Sequence, residues 1–181
     1  RAAGIAMPET RLFTVPDTRG KVRRHFGVRR FDRDGDERIH VHSFSGLAHK
    51  DPDKCDYRDL LLVAKALTRD IDQVAEGVRR MIFNVVASNR DDHGKNHAFL
   101  YRHGQWAFSP AFDLVFVSPA AQSLRGMSVG GEWRAPTLTQ LSEVARDAGL
   151  EPRTIQSISE QVAVAVQRWP EFAQEAGVSE S

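Results

Sequence analysis

The feature that constrains this chain most is an abrupt change of character near residue 88. Val78, Met81, Ile82 and Val85 recur at i, i+3, i+4 and i+7, which predicts a helix with one apolar stripe turned to a core. The stripe runs out at Ser88-Asn89, and Arg90-Asp91-Asp92-His93-Gly94-Lys95-Asn96 follow, all polar or glycine. A β-like segment runs from His97 to Phe108 with a turn at His103-Gly104, and Ser109-Pro110-Ala111-Phe112-Asp113 closes it. A loop that leaves a buried helix is held rigidly at its base. Its polar side chains can therefore point into a cleft between that helix and the strands beyond.

The flanks predict an α+β fold, mostly helical. Arg11 to Val15 reads as a strand, Pro16-Asp17-Thr18-Arg19-Gly20 as a turn, and Val22 to Phe31 as a looser strand. A turn at Asp34-Gly35-Asp36 leads to a short strand over Ile39 to Phe44. Asp56 is placed to cap a helix carrying Leu60, Val63, Ala64 and Leu67, with Asp59 close to a capping box, and Asp72 to cap the next. Thr137 and Gln140 form a capping box before a helix that Gly149 stops. Thr154 is expected to cap a last helix, with Pro170 after its end and a frayed tail from Gly177. At the front, Ala2-Ala3-Gly4 reads as the end of a helix, so a segment upstream of Arg1 is expected.

At 181 residues the chain is long enough to bury a core as one ordinary domain. Lys+Arg of 25 against Asp+Glu of 24 disfavours a globally basic nucleic-acid binder. Arg23, Arg24, Arg29 and Arg30 cluster, and read as a solvated strand face. No apolar run reaches the roughly 20 residues that span a bilayer. The single cysteine, Cys55, excludes an internal disulfide and a Cys-rich zinc site, and reads as a surface or half-buried thiol in a reducing compartment. Trp106, Phe108 and Trp169 read as core aromatics.

Asp91, Asn96 and Asp113 are oxygen donors, the ligand type that hard cations such as Mg²⁺ take. One carboxylate to orient an attacking hydroxyl, then an Asn and a second carboxylate to hold metal against phosphates, is the logic of phosphoryl transfer. Turn formation alone also gathers Asp, Asn and Gly in loops. A third reading makes Asp92, His93 and His97 a transition-metal site serving a metal-dependent hydrolase.

Three segments carry a resemblance. Met81-Ile82-Phe83-Asn84-Val85-Val86, then Asn89-Arg90-Asp91-Asp92-His93-Gly94-Lys95-Asn96-His97, then Phe108-Ser109-Pro110-Ala111-Phe112-Asp113-Leu114 resemble the core of the HipA-type serine/threonine kinases. These are the toxins of bacterial toxin–antitoxin pairs. Gly4 to Leu12 and Val28 to Arg33 resemble further segments of the same kinases. The resemblance implies that Asp91 is the catalytic base, taking the proton of a Ser or Thr hydroxyl. It implies Asn96 and Asp113 as Mg²⁺ ligands, and His93, Gly94, Lys95, Asn96, Phe112 and Asp113 as nucleotide contacts. It implies Arg29-Arg30-Phe31 as the hinge where backbone groups meet adenine. Lys95 then either faces the transferring phosphoryl group or is a solvated loop lysine, while His93 orients the loop and His97 begins the strand.

The implied protein is a cytoplasmic kinase that uses ATP and Mg²⁺ on a protein Ser or Thr and is neutralised by a DNA-binding antitoxin of the HipB type. DNA is then reached only indirectly. The implied fold is the C-terminal lobe of a HipA-type kinase-like fold, residues 36–181, behind a β remnant of the N-terminal lobe and hinge, residues 1–35. Residues 1–28 hold no glycine-rich phosphate loop and no strand lysine, so the chain by itself is expected to be inactive. The alternative is a non-catalytic lobe that binds a separate N-terminal lobe or an antitoxin. Arg90 stands where these kinases carry a small polar residue, positioned to pair with Asp92 or alter nucleotide access.

Overall fold

The computed structural model describes residues 1–177. The tail expected to fray beyond Gly177 lies outside the described residues. At the front, the Gly4 amide donates to the Arg1 carbonyl at 2.8 Å with φ +75°, a turn that directs Ala3 and Ile5 into the core.

Strands β1 (Thr10–Pro16) and β2 (Val22–Val28) form an antiparallel hairpin with Thr10 opposite Val28 and Pro16 opposite Val22. The Asp17 carboxylate closes its turn by accepting the amides of Arg19 and Lys21, which also holds its pKa below the ordinary carboxylate value. A second small hairpin pairs β3 (Arg33–Asp34) with β4 (Glu37–Arg38). Then come β5 (His40–Ser43), the short helix α1 (Phe44–Leu47) capped by the Ser43 hydroxyl, and β6 (Cys55–Asp56). The two long central helices are α2 (Tyr57–Thr68) and α3 (Ile71–Val86). A tight hairpin of β7 (Ala98–Arg102) and β8 (Gln105–Phe108) follows, with His103 and Gly104 both at positive φ, as a two-residue turn demands. β9 (Met127–Ser128), α4 (Leu138–Asp147), α5 (Pro152–Gln167) and α6 (Trp169–Glu175) complete the chain.

The main sheet runs β5-β7-β8 and is antiparallel, while β6 and β9 pair in parallel over two residues. Helix α3 is the centre of the fold, packed against α2 and α5. Its Val74, Val78, Met81 and Ile82 are buried with Leu60, Leu61 and Ala64 of α2 and Ile155, Ile158 and Val162 of α5. Each fully buried aliphatic side chain of this kind contributes about 1.5–3 kcal/mol. Gly77 lets α2 and β8 approach: a Cβ there would lie 2.6 Å from Leu61 and 3.1 Å from Phe108.

Several local expectations are corrected. Helix α3 is capped by Asp70, not Asp72, which sits in the first turn. Helix α5 starts at Pro152 after Glu151, so Thr154 lies inside it; Pro170 does follow its end, but in the first turn of a further helix, α6, so α5 is not the last helix. Asp59 pairs with Lys50 and completes no capping box, although Asp56 does cap α2. Trp169 is 62% exposed and no part of the core, and Cys55 is fully buried. The Arg23, Arg24, Arg29 and Arg30 side chains are exposed, as a solvated face would be.

Candidate active site

Helix α3 ends at Val86, and Ser88 takes φ +55°, turning the chain sharply into the polar loop. The loop is anchored from beneath by a ring of buried polar groups. The Tyr57 hydroxyl donates to Asp92 at 2.7 Å and accepts from the Asn84 amide at 2.8 Å. The Asn89 amide donates to Asn84 Oδ1 at 3.0 Å, and Arg125 donates to the Asn89 carbonyl at 2.6 Å and to Asp92 at 2.9 Å. Burial, with the Asp92 charge beside it, keeps the Tyr57 phenol protonated far above its ordinary range. These bonds tie the loop to α2, α3 and the segment around Arg125, while Asn89 Oδ1 and Arg125 Nε remain without a partner among the described residues.

Asp92 is therefore a structural carboxylate. Besides Tyr57 and Arg125 it accepts the amides of Gly126 at 3.0 Å and Met127 at 3.4 Å. This overturns the transition-metal reading of Asp92, His93 and His97, because Asp92 has no free oxygen to give. Among the described residues no three His, Cys, Asp or Glu side chains converge on a metal position. Arg90 does not pair with Asp92 either; its guanidinium donates to the Ser123 carbonyl at 2.9 Å.

Asp91, next along, is oriented differently. Its side chain is 48% exposed, and its Oδ1 lies 4.0 Å from His93 Nε2. Asn96 donates its amide nitrogen to the Asp91 carbonyl at 2.9 Å, which ties the two ends of the loop together. With its nitrogen committed to the loop, Asn96 has its amide oxygen left to offer.

Asp113 arrives from the other side of the cleft. The segment before it is held by the Ser109 amide on the Ala98 carbonyl and by the Ala111 amide on the Ala6 carbonyl. Arg80, buried across the Phe108 ring, donates to the Ser109 carbonyl at 2.7 Å and pairs with Glu76. Asp113 itself takes φ +55°, a left-handed conformation in which a non-glycine residue is strained and which recurs at functional sites. Asn96, His97, Phe112 and Asp113 line one cavity with Arg80 and Asn89. It has room for about 10 Å³, the size of one water or ion. Asn89 Oδ1 and both ring nitrogens of His97 are buried polar atoms with no partner among the described residues, and such atoms call for an ordered water or ion. Burial, reinforced by the Arg80 charge, pushes the His97 pKa down to about 3, so the ring is neutral.

The structure thus brings Asn96, Phe112 and Asp113 to one cavity, with Asp91 on the loop beside it. Phe31 reaches this group through its ring, 5.6 Å from that of Phe112. Arg29 and Arg30 are not brought to the cavity; they are exposed and paired with Glu9 and Asp32. Gly94 is buried against Ser45 and Cys55, where a Cβ would lie 2.6 Å from the Cys55 sulfur, and Lys95 is exposed. Sequence reasoning missed Tyr57 and Arg125. Arg125 carried one faint signal, a charge set in the sequence between Leu124 and the run Gly126-Met127.

Y4dM of Sinorhizobium fredii, a protein provisionally named a kinase, is 30% identical over 131 residues, covering 66% of this chain and 32% of that protein. The chain thus spans about a third of that relative's length. Among solved structures, HipA of Shewanella oneidensis MR-1, in complex with HipB and operator DNA, superposes at a TM-score of 0.61 and 17% identity over 99% of this chain and 55% of HipA. The proinflammatory kinase CtkA of Helicobacter pylori gives 0.57 and 12% over 92% of this chain and 77% of CtkA. Both share the α+β fold. Residues 1–169 match the model of the HipA-like C-terminal domain, and the chain belongs to that family.

Proposed function

We propose that this chain is the larger lobe of a HipA-like serine/threonine kinase that transfers the γ-phosphoryl group of ATP to a protein hydroxyl. The observation that carries the reading is the convergence of Asn96 and Asp113 on one cavity, with Asp91 held beside it through the Asn96 amide. The donors fit Mg²⁺: an amide oxygen and a carboxylate at a small cavity, where Asn89 Oδ1 is a further oxygen without a partner among the described residues, with phosphate oxygens to complete the coordination. Bound Mg²⁺ would neutralise phosphate charge as transfer proceeds. Asp91, open to solvent, takes the proton of the approaching hydroxyl. The loop's rigid footing fixes its direction, and most of the acceleration comes from that placement and from electrostatics. Phe31 and Phe112 offer apolar rings for the adenine, the backbone of Arg29 and Arg30 is assigned the hinge, and His93 and exposed Lys95 the phosphate side. Gly94, buried against Ser45 and Cys55, drops out of the nucleotide contacts.

The phosphate-covering loop and strand lysine come from outside residues 1–181 in this proposal, with residues 1–35 belonging to the smaller lobe and 36–181 to the larger. The Shewanella complex supports an antitoxin of the HipB type as partner, DNA being reached only through it. No helix among the described residues is long and apolar enough to cross a membrane, and a cytoplasmic site of action goes with the antitoxin. A lobe that binds a partner without catalysing transfer is the second reading. It is favoured by the exposed apolar residues of the β1–β2 hairpin, such as Phe26 at 71% and Val22 at 61%.

Transfer of radiolabel from γ-labelled ATP to Ser or Thr of added protein tests the choice. The kinase reading expects Mg²⁺-dependent transfer by the full-length protein, lowered on the order of 10²–10⁴-fold by Asp91→Asn. Transfer that survives Asp91→Asn removes Asp91 as the base. Absence of both ATP binding and transfer leaves the partner-binding lobe.

A further inference from the structure

We propose that Arg125 is a positioning residue for Asp91, a role that rests on the kinase reading above. Arg125 lies far along the chain from the loop, yet its side chain is 2% exposed and one guanidinium nitrogen, Nη2, bridges the loop. It donates to the Asn89 carbonyl on one side of Asp91 and to the Asp92 carboxylate on the other. The following peptide repeats the pattern: the Gly126 amide lies 2.9 Å from the Arg90 carbonyl and 3.0 Å from Asp92 Oδ1. The contact is reciprocal, since Arg90 donates to the Ser123 carbonyl and Gln122 donates to the Arg90 carbonyl. Residues 89, 90 and 92 are all gripped by the segment 122–127, and the Asp91 side chain between them is left free.

The grip is close enough to demand glycine. A Cβ on Gly126 would lie 2.5 Å from the His93 backbone nitrogen. A buried, hydrogen-bonded ion pair is costly to assemble and costly to break, so it serves to hold one geometry. A catalytic group must be held within about 0.5 Å of its productive position. Arg125 supplies this for a side chain that it does not touch. The segment that grips the loop also follows Asp113 in the chain, so one stretch joins both halves of the site.

The test compares Arg125→Gln and Arg125→Lys with wild type in the full-length protein, by amide hydrogen exchange and by steady-state kinetics. Arg125→Gln is expected to speed exchange of residues 89–96 while the interior of α3 keeps its protection. It is expected to lower kcat on the order of 10²-fold with KM for ATP changed by less than about threefold. Arg125→Lys, which keeps the charge, falls between the two in both readouts. Unchanged loop exchange in Arg125→Gln overturns the proposal, as does equal loosening of α3 or a raised KM at unchanged kcat. Wild-type protein with no phosphotransfer defeats the kinase reading instead, and the exchange pattern then decides alone whether Arg125 holds the loop.

Discussion

Burial holds the His97 pKa at about 3, against an ordinary value of 6.5, so the folded chain refuses a proton that the unfolded chain accepts. Between these values the unfolded state binds more protons, and stability rises with pH. The stabilising contribution is therefore complete above pH 6.5 and is lost as pH falls toward 3. Thermal melts from pH 7 to pH 4 are expected to show a falling midpoint, with a shallower slope in His97→Gln; equal slopes would contradict this burial. At this scale the sequence was partly legible. The loop was visible as an unbroken polar run after an apolar helix, and Asp91, Asn96 and Asp113 stood out as oxygen donors. What could not be read locally was which of two adjacent aspartates is buried. That is decided by Tyr57, 35 residues before Asp92, and Arg125, 33 residues after it.

Helices α2 and α3 were visible because their apolar spacing matches the helical period, and the β7–β8 hairpin because His103-Gly104 suits a positive-φ turn. Helix starts were less legible. Asp70 and Asp72 are both good caps, and the choice fell to the residue whose carboxylate reaches the Asp72 amide. At α5, Pro152 pre-sets the helical φ and opens the helix two residues before Thr154. The capping box at α4 was read correctly: Thr137 accepts the Gln140 amide while Gln140 accepts the Thr137 amide. Thr137→Ala is expected to destabilise the chain by about 1 kcal/mol. Urea denaturation should show the midpoint falling with the slope unchanged, and an unmoved midpoint would mean that this cap carries no stability.

The molecule as a whole is an α-helical body with a β5-β7-β8 sheet at the site and a β1–β2 hairpin that buries neither face. Leu12 and Phe26 face each other across the hairpin at 51% and 71% exposure. Contiguous apolar surface on a strand pair promotes association. Sedimentation of the isolated chain is expected to show concentration-dependent self-association, reduced by Leu12→Ser with Phe26→Lys; identical profiles would show that the hairpin needs no cover. This level was the least legible, because the alternation in β2 resembles that of a half-buried strand and the sequence does not say what covers it. The central claim is that Asn96 and Asp113 share one cation–nucleotide site beside Asp91. Mn²⁺ titrated with ATP into isotope-labelled chain reads it directly through paramagnetic broadening. The account predicts that amide signals of residues 91–96 and 112–114 broaden together, and that Asp113→Asn removes both effects; broadening confined to one of the two segments, or located elsewhere, would contradict it.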